Sequence, residues 1–221
     1  MAAPMKKEEL LQKLQELGIS THTVEHPEVF TVEQALPHFS DSPGVFAKNL
    51  FLQDKKKALW LYCAPHFRDT KLNDLAKQVG APGGLRFAQE EILVNTLGVR
   101  QGCVTVFGLI NDRDHKVKLI LDKSLWEDEE NSCDGDGDSG THGDNLSVEE
   151  RASSEKEVLK TESDAVDSGK DGDGVVTEKS RFEQRVYFHP LVNDASTGVT
   201  LKGLKDFLAY TGHKTVISNG Q

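Results

Sequence analysis

The sequence holds few of the motifs that assign an activity on sight. No G-x-x-x-x-G-K-[ST] is present, so a P-loop nucleotide site is excluded. The G-x-S-x-G elbow of serine hydrolases and the H-E-x-x-H of zinc peptidases are both missing. Cysteine is scarce: Cys63, Cys103 and Cys133 are the only three, and they form no C-x-x-C pair. That count argues against a disulfide scaffold or a cysteine-built zinc site and fits a reducing compartment. No apolar run approaches the roughly 18 residues that span a bilayer, and MAAPMKKEELLQKLQELG has no signal-peptide core. The expectations are a cytoplasmic protein with no membrane partner, no metal and no cofactor.

The formal net charge of -10 is spread unevenly over the 221 residues. From Trp126 to Arg185 stand 19 Asp and Glu against 7 Lys and Arg, which leaves everything else near +2. A mildly basic body can approach a phosphate backbone. The acidic stretch is rich in Gly and Ser, with too few apolar residues to offset the entropy of ordering it. Residues 126–181 are therefore expected to be a disordered insertion within a single domain covering 1–221, an arrangement that loop-closure entropy tolerates. Two stretches inside it, DGDGDSGTHGDN and DSGKDGDGVVTE, approach a calcium loop. Ser139 replaces the glycine and Asn145 the glutamate in the first, and Gly169 replaces a ligand in the second. A solvated acidic loop is the reading they support.

Outside that stretch the pattern is mixed. Leu10, Leu11, Leu14 and Leu17 share one helical face ahead of Gly18, and THTVEH alternates like a strand. Thr31 with Gln34 is a capping box for a short helix that Pro37 ends. KNLFLQD and KALWLYCA flank Lys55 and Lys56 as a hairpin of two largely buried strands. A helix capped by Asp69 or Thr70 runs to Val79, and another spans about 89–97 before Gly98. VTVFGLI (104–110) and KVKLILD (116–122) read as a second hairpin; RVYFHPLV is a short strand, 201–210 a helix closed by Gly212, and KTVI a last strand. Hairpins interrupt any strict βαβ alternation, so the expectation is an α/β or α+β domain with helices on a mixed sheet.

Residue chemistry by itself leaves the function open. Lys48, at the head of an apolar run, is either a strand-end lysine with its stem along apolar surface or a charge held at the mouth of a pocket. Cys63 and Cys103 are nucleophile candidates, with a small core residue as the alternative role.

Six stretches together carry a resemblance. HPEVFTVEQA (26–35), KNLFLQDKK (48–56), LRFAQEEIL (85–93), LGVRQGCVTVFGLIND (97–112), VKLILD (117–122) and FHPLVNDASTGVTLKGLKDFL (188–208) resemble, in order, the YbaK/prolyl-tRNA-synthetase-associated editing domain family. The free-standing branch that removes alanine from the tRNA for proline is the nearest in pattern. The resemblance implies a mixed, curved sheet flanked by helices and a pocket for the terminal aminoacyl-adenosine. It implies trans-editing, the hydrolysis of a mischarged aminoacyl ester, with no nucleophile of the enzyme's own. Its partners would be mischarged tRNA and, beyond it, prolyl-tRNA synthetase or an elongation factor.

Carried over by position, Lys48 and Asn49 match the Lys-Asn pair at the pocket strand, Gly102-Cys103-Val104-Thr105 the start of the glycine loop, and His189 the histidine opposite. Lys48 and His189 are then the catalytic candidates. The alternatives remain a structural histidine before Pro190 and a strand-edge cap for Asn49. Val29, Phe30 and Val104 are candidates for the pocket wall, with core packing as the alternative. Lys55, Lys56 and Lys57 are candidates for acceptor-stem phosphates, or else a solvated hairpin tip. Val106 stands where the family loop has proline. That departure and the acidic stretch keep a non-catalytic tRNA- or synthetase-binding module in view, and the same chemistry on another small amino acid, serine or cysteine, is a further alternative.

Overall fold

Leu10 and Leu14, one turn apart, are both fully buried, which sets the inner face of the first helix, α1 (Lys7–Glu16). The helix opens where Glu9 accepts the Lys6 N–H at 2.8 Å and ends as Gly18 turns to φ 70°. The chain continues through β1 (Thr21–Glu25) and α2 (Val32–Ala35), whose Thr31/Gln34 capping box is present. Pro37 sits in the tight turn Leu36–Phe39 that follows. Next come β2 (Gly44–Asp54), β3 (Leu59–Pro65), α3 (Leu72–Gln78), β4 (Leu85–Phe87) and α4 (Glu90–Leu97). The chain then runs through β5 (Val117–Asp122), β6 (Arg185–Phe188), β7 (Ala195–Thr200), α5 (Leu201–Thr211) and β8 (Thr215–Ser218). This computed structural model describes residues 3–29, 31–39, 44–126 and 185–219, all within one unit. The expected insertion from 127 onward, and Phe30, lie outside the described residues. Trp126, at its expected edge, is half-buried against the core, with Lys205 Nζ 5.4 Å from its ring centroid.

The eight strands form one mixed sheet in the order β1-β7-β6-β2-β3-β5-β8, with β4 beside β2. β2 is antiparallel to β3 and parallel to β6, and β5 is parallel to both β3 and β8. Alternation distributes β3 between two cores. Leu59, Leu61 and Cys63 enter a large cluster with α1, α4 and α5, while Trp60, Tyr62 and Ala64 pack with Leu75 and Ala76 of α3. Covered on both faces, β3 is buried throughout, which is why its sequence reads as an apolar run.

Three sequence expectations change. Residues 104–110 are not a strand: after an extended Thr105, Val106–Asn111 wind into a tight helical turn, with Thr105 Oγ1 accepting the Phe107 N–H at 3.3 Å. Val106, Phe107, Gly108 and Leu109 are all buried, so the run has no exposed face to reveal its period. Asn111 locks the turn, donating to Leu97 O at 2.9 Å and accepting from Met5 N at 2.8 Å. The third helix is capped at Lys71 rather than at 69 or 70. The strands β4 and β7 were not expected.

Candidate active site

The pocket begins with a gap in strand pairing. β3 flanks β2 over 47–53, but the other edge of β2 meets β6 only over 44–46 and β4 only over 52–54. Between them, Ala47–Phe51 have no strand on that edge among the described residues, and these five residues line a cavity of about 490 Å³. The α2 segment, the β4–α4 junction, the turn after α4, the tips of β6 and β7, and His66 after β3 complete it.

Lys48 stands half-buried on this open stretch and donates from Nζ to the carbonyl of Arg68. Burial lowers its pKa, with Asp69 and Asp122 pulling the other way. Arg68 is itself held by the fully buried Asp122, with Nε 3.2 Å from Oδ2. Asp122 in turn accepts from Ser124 Oγ at 2.6 Å and Ser124 N at 3.1 Å. The carbonyl that orients Lys48 is therefore anchored to the end of β5. Asn49 donates to Ala47 O at 3.3 Å, and its Oδ1 is buried with no hydrogen-bond partner among the described residues. His66 Nδ1, also on the pocket wall, is in the same condition. Buried orphans of this kind ask for an explanation, and a ligand's donors supply one.

Across the cavity, His189 Nδ1 lies 3.1 Å from Ala195 O. A carbonyl only accepts, so Nδ1 carries the proton and Nε2 is left as a lone-pair acceptor. Burial pushes the imidazole below its ordinary pKa, the Ala195 carbonyl opposing, and so favours the neutral ring. Gly102, on the turn after α4, holds φ 88°, a conformation that favours glycine. Cys103 N donates to Arg100 O at 3.0 Å, and Gln101 N to Glu90 Oε1 at 3.2 Å, which ties the turn to its helix.

The fold therefore brings Lys48, Asn49, Gly102, Val104 and His189 to one cavity. Thr105 is fully buried and caps the helical turn that follows, and Cys103 is half-buried but does not line the cavity. Val29 packs in a small core with Ala35, Phe39, Phe46 and Tyr187. Lys55, Lys56 and Lys57 are exposed at the far end of β2, seven residues and roughly 24 Å of strand beyond Lys48. His66 and Ser196 were not singled out from sequence, yet both line the pocket. Among the described residues no group of three or more His, Cys, Asp or Glu is placed to hold a metal ion. Burial raises the pKa of both thiols, Cys63 and Cys103, and keeps them protonated. None of the described helices is long and apolar enough to cross a membrane.

Among the described residues the cavity is lined by one cation, Lys48, by neutral acceptors, and by two exposed carboxylates, Glu33 and Glu90. The profile of the aminoacyl-tRNA editing domain matches residues 26–143, over half of the chain, and the protein belongs to that family. The resemblance read from the six stretches is thus borne out. It is similar to prolyl-tRNA synthetase associated domain-containing protein 1 of Bos taurus, at 35% identity over 99% of this chain and 98% of that protein. The prolyl-tRNA editing protein ProX of Acetoanaerobium sticklandii is 32% identical over 54% of this chain and 73% of its own. A crystal structure described as a candidate trans-editing enzyme for prolyl tRNA synthetase matches at TM-score 0.55 and 16% identity, covering 99% of this chain and 100% of its own. At that identity it bears on the fold alone.

Proposed function

We propose that the protein hydrolyses, in trans, the ester joining alanine to the tRNA for proline, by positioning a water and without a covalent enzyme intermediate. The observation that carries this is one half-buried cation, Lys48, in the same pocket as a neutral histidine, His189. An aminoacyl ester on a ribose is already activated. The enzyme has to orient water and stabilise the charge that develops on the carbonyl oxygen. Lys48 Nζ holds the terminal phosphate or that oxygen by charge-assisted hydrogen bonds. Backbone N–H groups at Gly102 serve the same end, and Asn49 Oδ1 accepts from a ribose hydroxyl. Water adds to the carbonyl carbon, the bond to the ribose oxygen breaks, and that oxygen takes the proton, with the neighbouring hydroxyl as relay. The protonated thiols at Cys63 and Cys103 favour water over a thiolate.

A pocket of this size discriminates one methylene by only ~1–3 kcal/mol, so the choice of alanine over other small residues also needs the tRNA to be recognised separately. Delivery by prolyl-tRNA synthetase or an elongation factor, in the cytoplasm, belongs to the same reading. A non-catalytic accessory module is the second reading, favoured by Val106, which is buried in a helical turn where the family pattern has proline. Single-turnover deacylation separates the two. Alanyl-tRNA for proline should lose alanine with wild type and not with Lys48→Ala, while prolyl-tRNA is spared. No loss from alanyl-, seryl- or cysteinyl-tRNA would overturn the proposal.

A further inference from the structure

The pocket wall built from β6 and β7 carries a hydrogen-bond arrangement that the mechanism above leaves unused. His26 Nδ1 is 2.8 Å from Pro27 O, and His26 Nε2 is 2.9 Å from Ser196 Oγ. The carbonyl accepts, so Nδ1 carries a proton, and in that tautomer Nε2 is an acceptor. The Ser196 hydroxyl must then spend its proton on His26, which leaves its lone pairs for other donors. His189 reaches the same condition through Ala195 O, the carbonyl of the residue before Ser196. The two imidazole centroids are 6.4 Å apart. His26 is fixed from behind, its backbone N–H donating to Asp194 O at 3.0 Å. Ser196 and His189 both line the cavity, whereas the carboxylates that line it, Glu33 and Glu90, are exposed at its rim.

We infer that Ser196 Oγ and His189 Nε2 together bind the α-ammonium of the aminoacyl group, and that His26 is a positioning residue that keeps the Ser196 hydroxyl proton out of the way. This rests on the proposed function and names the substrate feature its site reads, a free α-amine. An ammonium offers three donors and no acceptor, so it is matched by lone pairs whose own protons are committed elsewhere. Burial, which favours the uncharged form of His189, removes a repulsive charge from the same place. Lys48 then takes the opposite, anionic end of the ligand. Esters whose amine is acylated, as in formylated or peptidyl chains, lose the charge and two of the three donors and are refused.

The test is binding of two nonhydrolysable 3′-amide-linked oligonucleotides, one carrying alanyl and the other the deamino isostere propionyl. Wild type should bind the alanyl form about 10- to 100-fold more tightly, the scale of a hydrogen bond to a charged group. Ser196→Ala and His26→Leu should reduce that preference to within about threefold, and His26→Gln, which keeps an acceptor for the hydroxyl, should restore most of it. Equal wild-type affinity for both analogues, or an undiminished preference in Ser196→Ala of unchanged Tm, would overturn amine recognition. In hydrolysis of the matching esters, an equal loss in Ser196→Ala on alanyl and propionyl substrates would put Ser196 in the bond-breaking step and also overturn it. A preserved amine preference with no ester hydrolysis would overturn the proposed function and leave the amine site standing.

Discussion

The two halves of β2 carry similar-looking polar residues and use them in opposite ways. At the far end, Asp54 is buried, and its carboxylate accepts from Ala58 N at 3.0 Å and Trp60 Nε1 at 3.3 Å. Its N–H and carbonyl close the hairpin with Ala58 and Lys57. Every one of these bonds stays inside the hairpin. At the near end, Lys48 donates to a loop carbonyl, and Asn49 keeps a buried oxygen with no partner among the described residues. A strand that satisfies its own polar groups contributes stability. One that leaves them short of partners among the described residues keeps them available to a ligand.

The sharpest way to break this contrast is to delete Lys48. Lys48→Ala should lower single-turnover deacylation by about 10²- to 10³-fold, the scale of one lost electrostatic stabiliser. Tm should stay level or rise slightly, because a charge that burial disfavours is removed. Asp54→Ala should do the reverse. It strands the Ala58 and Trp60 N–H groups and should cost about 2–3 kcal/mol of stability, read as a lower urea midpoint at unchanged slope, with deacylation per folded molecule intact.

Asn49→Ala sharpens the comparison on the same strand. Loss of an unpartnered acceptor should leave Tm unchanged or raised, while deacylation falls about 10-fold. A fall in Tm without a change in rate would make Asn49 a strand-edge residue like Asp54. His189 adds a pH signature. Its folded pKa is lowered below the ordinary 6.5, so between those two values the unfolded chain binds a proton that the folded chain does not. Its effect on stability is therefore absent above about 6.5 and destabilising as pH falls through the lowered value. Unfolding midpoints across that window should flatten in His189→Gln, and the acid limb of the deacylation profile should move with them.

How far the sequence reveals this contrast depends on what each signal needs. The hairpin from Lys48 to Pro65 is legible because alternate residues of β3 enter two different cores, and the apolar run follows from that. Lys48 and His189 are legible through the order of motifs around them. The helical turn at Val106–Asn111 is not, because a short run buried on all sides has no visible period. The strand Ala195–Thr200 is hidden for another reason: Ser196, Thr197 and Gly198 make it look like a turn. Gly198 is there because a Cβ would come within 2.6 Å of the Tyr187 ring, a fact of packing that no local pattern contains. His66 and Ser196 join the pocket only through tertiary contact, from residues 66 and 196 of the chain. No spacing rule connects them.

The smallest expected effect concerns Lys55, Lys56 and Lys57. The hairpin tip is roughly 24 Å along β2 from Lys48, too far to touch the terminal nucleotide but within reach of an acceptor stem that leaves the pocket in that direction. The tip is exposed, and Lys57 is held at φ 68°, a left-handed position a lysine occupies at some cost. Replacing all three with Ala should weaken tRNA binding by no more than several-fold at moderate salt, without changing the rate at saturation. The decisive readout is the slope of log affinity against log salt, since each phosphate contact contributes a little under one unit to it. A slope shallower by about two to three units would extend the functional half of β2 to its tip. An unchanged slope would leave the tip as solvated structure, with recognition confined to the end of the strand where polar groups lack partners.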